Sequence, residues 1–300
     1  MPLASTGMSF FPTRKRKWPD FCERKHKTKN GEEPEYYYRM VVCNLLNTLI
    51  DLPLDAEPIR ASENEVAAAK RLIERLCEHY TLFFDVVVTD AFYMEGPFVN
   101  FCVGKGKDVI IVLKDNYPSL IEDAQGLFNQ MEPEIWHINN RTIQVWDLEG
   151  FTTDTIDVPL RVLHTIETYT ERVEKNGRIV ERQVTKSWWW ATTISCSRLR
   201  TKHLWKMGHS RWQTENNIFN TLGQHWSLNH CYKHDPVAIV NFVLMLFIVF
   251  SLVQCFYKRN LKPQRRKIIN SLISLTNQLY ASLGMGGREP AIRQLPARPP

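Results

Sequence analysis

A carboxylate on the apolar side of a helix is what most constrains this chain. In the stretch Arg211-Trp212-Gln213-Thr214-Glu215-Asn216-Asn217-Ile218-Phe219-Asn220, Ser210 and Gln213 form a capping-box start, and Ile218, Leu222 and Trp226 recur at helical spacing behind it. Glu215 lies three residues before Ile218 and seven before Leu222, so it projects from the apolar stripe. An isolated charge is prohibitive to bury, so this one must be paired, hydrogen-bonded or bound to a metal. Its best distant partner is Asp90, which closes the apolar run Val86-Val87-Val88-Thr89. A strand-end Asp and a helix-face Glu, far apart in sequence, point to a metal site.

Around these two residues strands and helices alternate, which indicates an α/β sheet with helices on its faces. Tyr36–Leu46 and Leu52–Ile59 read as strands, and Ser62 with Glu65 as the capping box of a helix whose Val66, Ala69, Ile73, Leu76, Cys77 and Tyr80 share one face. Phe83–Val88 and Asp108–Lys114 are strands covered on both sides. A short helix near Pro97–Cys102 and an amphipathic one at Ser119–Phe128 follow them. From Glu134 the pattern becomes antiparallel: Ile143–Trp146, Val162–Val173, a hairpin turn at Asn176-Gly177, Ile179–Thr185 and Trp188–Ile194. The expected division is a first core part at 1–133, a β-strand insertion at 134–197, a second core part with the Glu215 helix at 198–262, and a basic helix with a Gly/Pro/Arg-rich disordered tail at 263–300.

The net charge of +6 is unevenly spread. Arg14–Lys29 carries +6 and Lys258–Pro300 carries +8, leaving −8 on the middle, so contact with a polyanion is expected at the two ends. Seven scattered cysteines without a CxxC pair suit a reducing compartment, and no apolar signal segment follows Met1; a cytoplasmic, nucleoid-associated location is expected. Val237–Tyr257 passes a crude length test for a membrane span, but Asn241, Ser251 and Gln254 fit a buried core helix better. His225, His230, Cys231 and His234 lack the second cysteine pair of a zinc site.

Taken together, Tyr36-Tyr37-Tyr38-Arg39, Leu54-Asp55-Ala56-Glu57-Pro58, Val88-Thr89-Asp90-Ala91-Phe92-Tyr93, Val112-Leu113-Lys114, Trp188-Trp189-Trp190-Ala191-Thr192-Thr193 and the Glu215 motif resemble an insertion-sequence transposase of the DDE superfamily. The group it is most similar to is insertion sequence four, with coverage from about residue 5 to 262. The resemblance implies a ribonuclease H-like mixed sheet flanked by helices, with an antiparallel β-strand insertion before the last catalytic helix. It implies Asp90 and Glu215 as catalytic, metal-binding carboxylates, and Arg211, Lys114, Trp188, Trp190 and Lys202 as DNA-binding residues. It further implies Mg2+ (two ions, with Mn2+ able to substitute), double-stranded DNA carrying insertion-sequence ends as partner, and a homodimer in the DNA complex.

Three positions depart from the family pattern. Its first Asp precedes a Gly ahead of a basic stretch, and here Thr6-Gly7 stands before Arg14-Lys15-Arg16-Lys17, with only Met1–Ser5 left as the leading strand. Relatives carry a Tyr three before the Arg and a Lys seven after the Glu, where this chain has Gly208 and Leu222. The DNA-binding region that usually comes earlier is absent, which resembles a truncated product. A neutral hydroxyl at position 6 is a weaker ligand than a carboxylate, so cleavage is expected to suffer by several kcal/mol, on the order of a lost metal contact in the transition state. The alternatives are a catalytically dead DNA-binding remnant or inhibitor of intact transposase, and a single-pass membrane protein.

Overall fold

The computed structural model describes residues 1–14, 17–18, 20–28, 31–114, 117–175, 178–230, 232–269 and 271–284, without the side chains of 8, 28, 175, 178, 213–216, 283 and 284. β1 (Pro2–Thr13) opens the chain, β2 (Cys22–Thr28) and β3 (Gly31–Leu45) form a hairpin, and β4 (Leu52–Pro58) returns along β3. Next come α1 (Glu65–Tyr80), β5 (Val86–Thr89), α2 (Gly96–Gly104), β6 (Asp108–Val112) and α3 (Pro118–Phe128). An antiparallel meander follows: β7 (Glu134–Ile138), β8 (Arg141–Thr153), β9 (Ile156–Lys175) and β10 (Arg178–Thr192). The chain closes with α4 (Thr201–Gln213), α5 (Asn220–His225), α6 (Pro236–Cys255), α7 (Pro263–Ile269) and α8 (Leu272–Gly284).

Among the described residues these ten strands form one mixed sheet. Its centre is three parallel strands, with Ala4 of β1 level with Val88 of β5 and Val88 level with Ile110 of β6. Antiparallel β3 flanks β1, and β10 flanks β6 through Trp190↔Val112. The strands of the meander are therefore extensions of the central sheet. Such parallel strands need both faces covered, which their unbroken apolar runs make favourable.

Side-chain alternation along each strand sends residues to two opposite cores. Leu3, Val87 and Ile111 pack under α1, α2 and α3. Ala4, Val88, Ile110 and Trp190 face Leu204 of α4, while Phe10, Met40 and Val42 face Ile218 and Leu222 and then Ile239 and Val243 of α6. Between α4 and α5 the helix widens into a π turn at Thr214–Phe219, where its buried stripe passes from the Trp190 cluster to the Phe10 cluster on the same face of the sheet.

Several sequence expectations are corrected. β1 runs on to Thr13 rather than stopping at Ser5, because Phe10 and Phe11 are core residues that hold it against β3. The helix of the Glu215 motif begins at Thr201, not at Ser210: Arg161 donates to the Leu199 carbonyl and the Thr201 hydroxyl, fixing the entry, whereas Ser210 lies inside the helix and donates to the Met207 carbonyl. Asn64, not Ser62, caps α1 by accepting from the Ala67 amide. The C-terminal basic helix is two helices, α7 and α8. α6 is buried along only one stripe, Ile239, Val243, Phe247, Phe250 and Gln254, and its opposite side is exposed. The Asn176-Gly177 turn and the tail from residue 285 lie outside the described residues.

Candidate active site

Asp90 leaves the sheet at the carboxyl end of β5. Its Oδ1 accepts the Phe92 amide and so starts the short 3₁₀ turn Ala91–Tyr93, which turns the chain sharply off the strand. The side chain is half-buried, and among the described residues no Lys, Arg or His pairs with it. The parallel ladder ends with Ala4 beside Val88; two residues further along each strand, on the same face, stand Thr6 and Asp90. Thr6 is buried on the side of the sheet that carries α4 and α5.

α4 runs in the same direction as β5 and β6. It starts beside Arg161 near the beginning of β6, passes Gly208 over Trp190, reaches Trp188 with Trp212, and continues as the π turn that contains position 215. Beyond that turn, Ile218 packs with Phe10, Met40 and Val42 on the β1–β3 side. The backbone at 215 thus belongs to a helix that crosses the face carrying Thr6 and Asp90, at the end where β5 terminates; the Glu215 side chain lies outside the described residues. Single π turns inside α-helices are frequent at functional sites.

The other sequence-predicted residues separate into distinct places. Lys114 is exposed just past β6, at the same end of the sheet as Asp90. Lys202 is exposed on the first turn of α4, beside Arg161 and Thr201 and so at the opposite end. Arg211 is buried, 7% exposed, on α4. Trp190 is 1% exposed, its ring packed in the core beneath α4. Trp188 is partly exposed, stacked on Trp190 at 5.9 Å with Trp212 edge-on at 6.1 Å.

The same packing accounts for Gly208. A Cβ at Gly208 would lie 2.5 Å from Trp190 Nε1, so the indole fills the space that a side chain at this position would need. Gly7 has a comparable role on β1. The Glu65 carboxylate occupies the volume a Gly7 side chain would need, and accepts from Arg39 Nη2 at 3.0 Å and Tyr93 Oη at 2.7 Å. Read in the sequence as half of a capping box, Glu65 instead ties β3, α1 and the turn after Asp90 together. Burial and the neighbouring Glu65 carboxylate push the Tyr93 hydroxyl well above its ordinary pKa, so Tyr93 remains a donor.

A second polar cluster escaped the sequence reading altogether. Glu167 of β9, 1% exposed, accepts from Trp205 Nε1 at 2.9 Å and His209 Nε2 at 2.7 Å through Oε1, and from Arg141 Nη1 at 3.0 Å through Oε2. Burial raises its pKa, but the hydrogen bonds from His209 and Trp205 and the nearby cation outweigh that, and the net shift is downward. Arg161, equally buried, pairs with Asp147, with Nε to Oδ1 at 2.8 Å.

The family model of the transposase DDE domain matches residues 5–252. The chain belongs to that family. No curated protein sequence matches it. The matched span of this transposase domain begins one residue before Thr6 and ends within α6, so it includes Asp90 and position 215. The family's reaction is phosphoryl transfer on DNA, generally with a divalent metal, which makes DNA the partner. Among the described residues no three His, Cys, Asp or Glu side chains gather as a metal-binding group. The donors at the end of β5 are nonetheless of the right kind, a carboxylate with no cation paired to it among the described residues and a hydroxyl on the neighbouring strand, since hard divalent ions prefer oxygen ligands.

Proposed function

We propose that this chain is an insertion sequence four transposase that cuts and joins double-stranded DNA at insertion-sequence ends, with Asp90 and Glu215 as metal-binding carboxylates and Thr6 in the place of the family's first Asp. The observations that carry the reading are the transposase match, which spans Thr6, Asp90 and position 215, and the β1–β5 ladder, whose last pair, Ala4 with Val88, lies two residues before Thr6 and Asp90 on the two parallel strands. The strand order also supports a ribonuclease H-like core: antiparallel β4 and β3, then parallel β1, β5 and β6.

Mg2+, or Mn2+ in its place, would be held by Asp90 and Glu215 with the Thr6 hydroxyl as a weak third donor. The chemistry a bound divalent pair supplies is activation of a water or DNA 3′-hydroxyl and stabilisation of the leaving oxygen. Asp90, fixed by its bond to the Phe92 amide, offers its remaining oxygen from a rigid strand end rather than a mobile loop. The Arg39–Glu65–Tyr93 tie keeps that turn seated. Lys114, at the same end, is suited to a DNA phosphate, and Trp188 supplies the partly exposed ring at which a base could stack. Lys202 would meet DNA only along a path reaching the far end of the sheet.

A second reading, a DNA-binding protein that cuts poorly or not at all, is favoured by Thr6 alone, because a neutral ligand replaces a charged one. Divalent-dependent nicking of supercoiled DNA decides between them. Cleavage that disappears in Asp90→Ala and Glu215→Ala supports the enzyme, and a gain of at least about tenfold in Thr6→Asp places the missing carboxylate at position 6. Salt-sensitive binding with no nicking, even in Thr6→Asp, would reject the catalytic reading.

A further inference from the structure

The β9–β10 hairpin runs far past its neighbours. β8 begins at Arg141, opposite Tyr169, and beyond that pair β9 and β10 continue as a two-stranded ribbon through Thr170↔Gln183 and Val173↔Val180. Among the described residues no third strand pairs with either edge there. β10 is antiparallel to β6 and β9 to β10, so the ribbon points as β6 does, toward the end of the sheet where Asp90 and Lys114 stand. Trp190 is level with Val112, and Arg182 precedes it by eight residues, which places Arg182 about 27 Å past the end of β6 at ~3.4 Å per residue. Ile179 on one face of the ribbon is 75% exposed and Val180 on the other 48%, so this part stands clear of the sheet's helices.

The two faces of the ribbon differ in charge. Glu167, bonded to His209 of α4, marks one face, and strand pairing puts Lys186, Tyr169, Arg182 and Val180 on that same face. Arg141, opposite Tyr169, joins them; its guanidinium lies 4.5 Å from the Tyr169 ring centroid, and the Lys186 ammonium lies 6.0 Å from it. Lys186 and Arg182 are exposed, and among the described residues neither has a carboxylate within ion-pair distance. Besides the enclosed Glu167, the carboxylate of this face is Glu171. The other face carries Arg172, tied to Glu181 at 3.2 Å, and Glu174. The positive face is thus the one that Thr6, Asp90 and Trp188 share. We infer that this ribbon lies in the major groove of the duplex, with Arg182 toward guanine O6 and N7 and Lys186 on a phosphate at the groove's edge. A two-stranded ribbon fits the roughly 12 Å width of that groove, and a planar guanidinium matches the two guanine acceptors. Four residues of strand, ~14 Å, separate Arg182 from Lys186, so one can reach the floor while the other meets the rim. Val180, on the same face, offers an apolar contact to a thymine methyl. The other face, with more acid than base, would repel the same polyanion. The inference rests on the DNA-cutting reading for its partner and adds to it a surface that reads sequence.

The test measures fluorescence anisotropy of a mixed-sequence DNA duplex with the full chain, EDTA being present so that nothing is cut. Arg182→Ala/Lys186→Ala should weaken binding about tenfold or more, and Lys186→Ala alone should lower the slope of log affinity against log salt by about 0.9, the worth of one phosphate contact. Arg172→Ala, on the other face, should change neither. Methylation of guanine N7, in the major groove, should interfere with binding by the wild-type chain and no longer do so with Arg182→Ala. Unchanged affinity in the double variant, as expected if the ribbon pairs instead with another polypeptide, would overturn the inference. So would an equal loss in Arg172→Ala, or interference confined to adenine N3 in the minor groove. Should the double variant fail to fold, the interference pattern of the wild-type chain still decides. Divalent-dependent nicking by a wild-type chain whose binding ignores the ribbon would sink this inference alone, whereas ribbon-dependent binding without nicking would sink only the cutting reading.

Discussion

Asp90 and Glu167 are both carboxylates on strands of one sheet, and they have opposite circumstances. Glu167 is completely enclosed and receives three hydrogen bonds from Trp205, His209 and Arg141. Asp90 is half-buried, receives one backbone hydrogen bond, and has no cation beside it among the described residues. A buried charge survives only with its full set of partners, so Glu167 holds α4 onto the insertion strands. A carboxylate left with spare acceptor capacity at a strand end is available for a ligand. Glu167 is both enclosed and fully partnered, whereas Asp90 is neither, and that pairing of burial with partners separates the structural charge from the functional one.

The comparison is most easily broken at Glu167. Glu167→Ala should lower unfolding free energy by about 3–5 kcal/mol in a denaturant titration, since the Trp205, His209 and Arg141 donors all lose their acceptor. A loss below about 1 kcal/mol would mean the cluster is not structural. Asp90→Ala should do the reverse: about 1 kcal/mol of stability for the lost cap, but a 10²–10³-fold fall (roughly 3–4 kcal/mol) in divalent-dependent DNA nicking. If its stability fell as far as that of Glu167→Ala, the distinction would collapse.

Sequence made one half of this contrast legible. Val86-Val87-Val88-Thr89 is long and apolar enough to be read as a covered strand, and a charge at its end stands out against it. Glu167 gives no such signal. It sits in Thr165-Ile166-Glu167-Thr168-Tyr169, an alternation that looks like a solvated strand, and its partners come from β8 and from α4, some 25 and 40 residues away. The Ser210–Gln213 capping box was misleading for a related reason: the helix start is set by Arg161, a tertiary partner no local pattern contains. Gly208 and Trp190 are each unremarkable in sequence and meaningful only as a pair in contact.

Two smaller effects sharpen the same contrast on the insertion side. His164 lies on the opposite face of β9 from Glu167, its ring stacked 3.8 Å from Trp189 and 5.1 Å from Trp146, and burial lowers its pKa to about 4. The unfolded chain takes up a proton near pH 6.5 and the folded one only near 4, so stability should fall as pH drops across that window, by on the order of 3 kcal/mol. His164→Leu should flatten this part of the stability profile; an unchanged slope would assign it to other groups. Gly208→Ala should cost about 1–2 kcal/mol, because the new methyl meets the Trp190 indole under α4. A neutral result there would show that the indole can move aside.

The widened turn at Thr214–Phe219 separates the upstream half of the helix from the downstream half in rotational phase. Removing one residue from it would swing Ile218 and Leu222 by about 100° relative to α4, away from Phe10 and Met40. Apart from Glu215, chain length in this stretch is therefore under tighter constraint than residue identity, and the helix should accept conservative replacements at its other positions where it refuses a single-codon deletion.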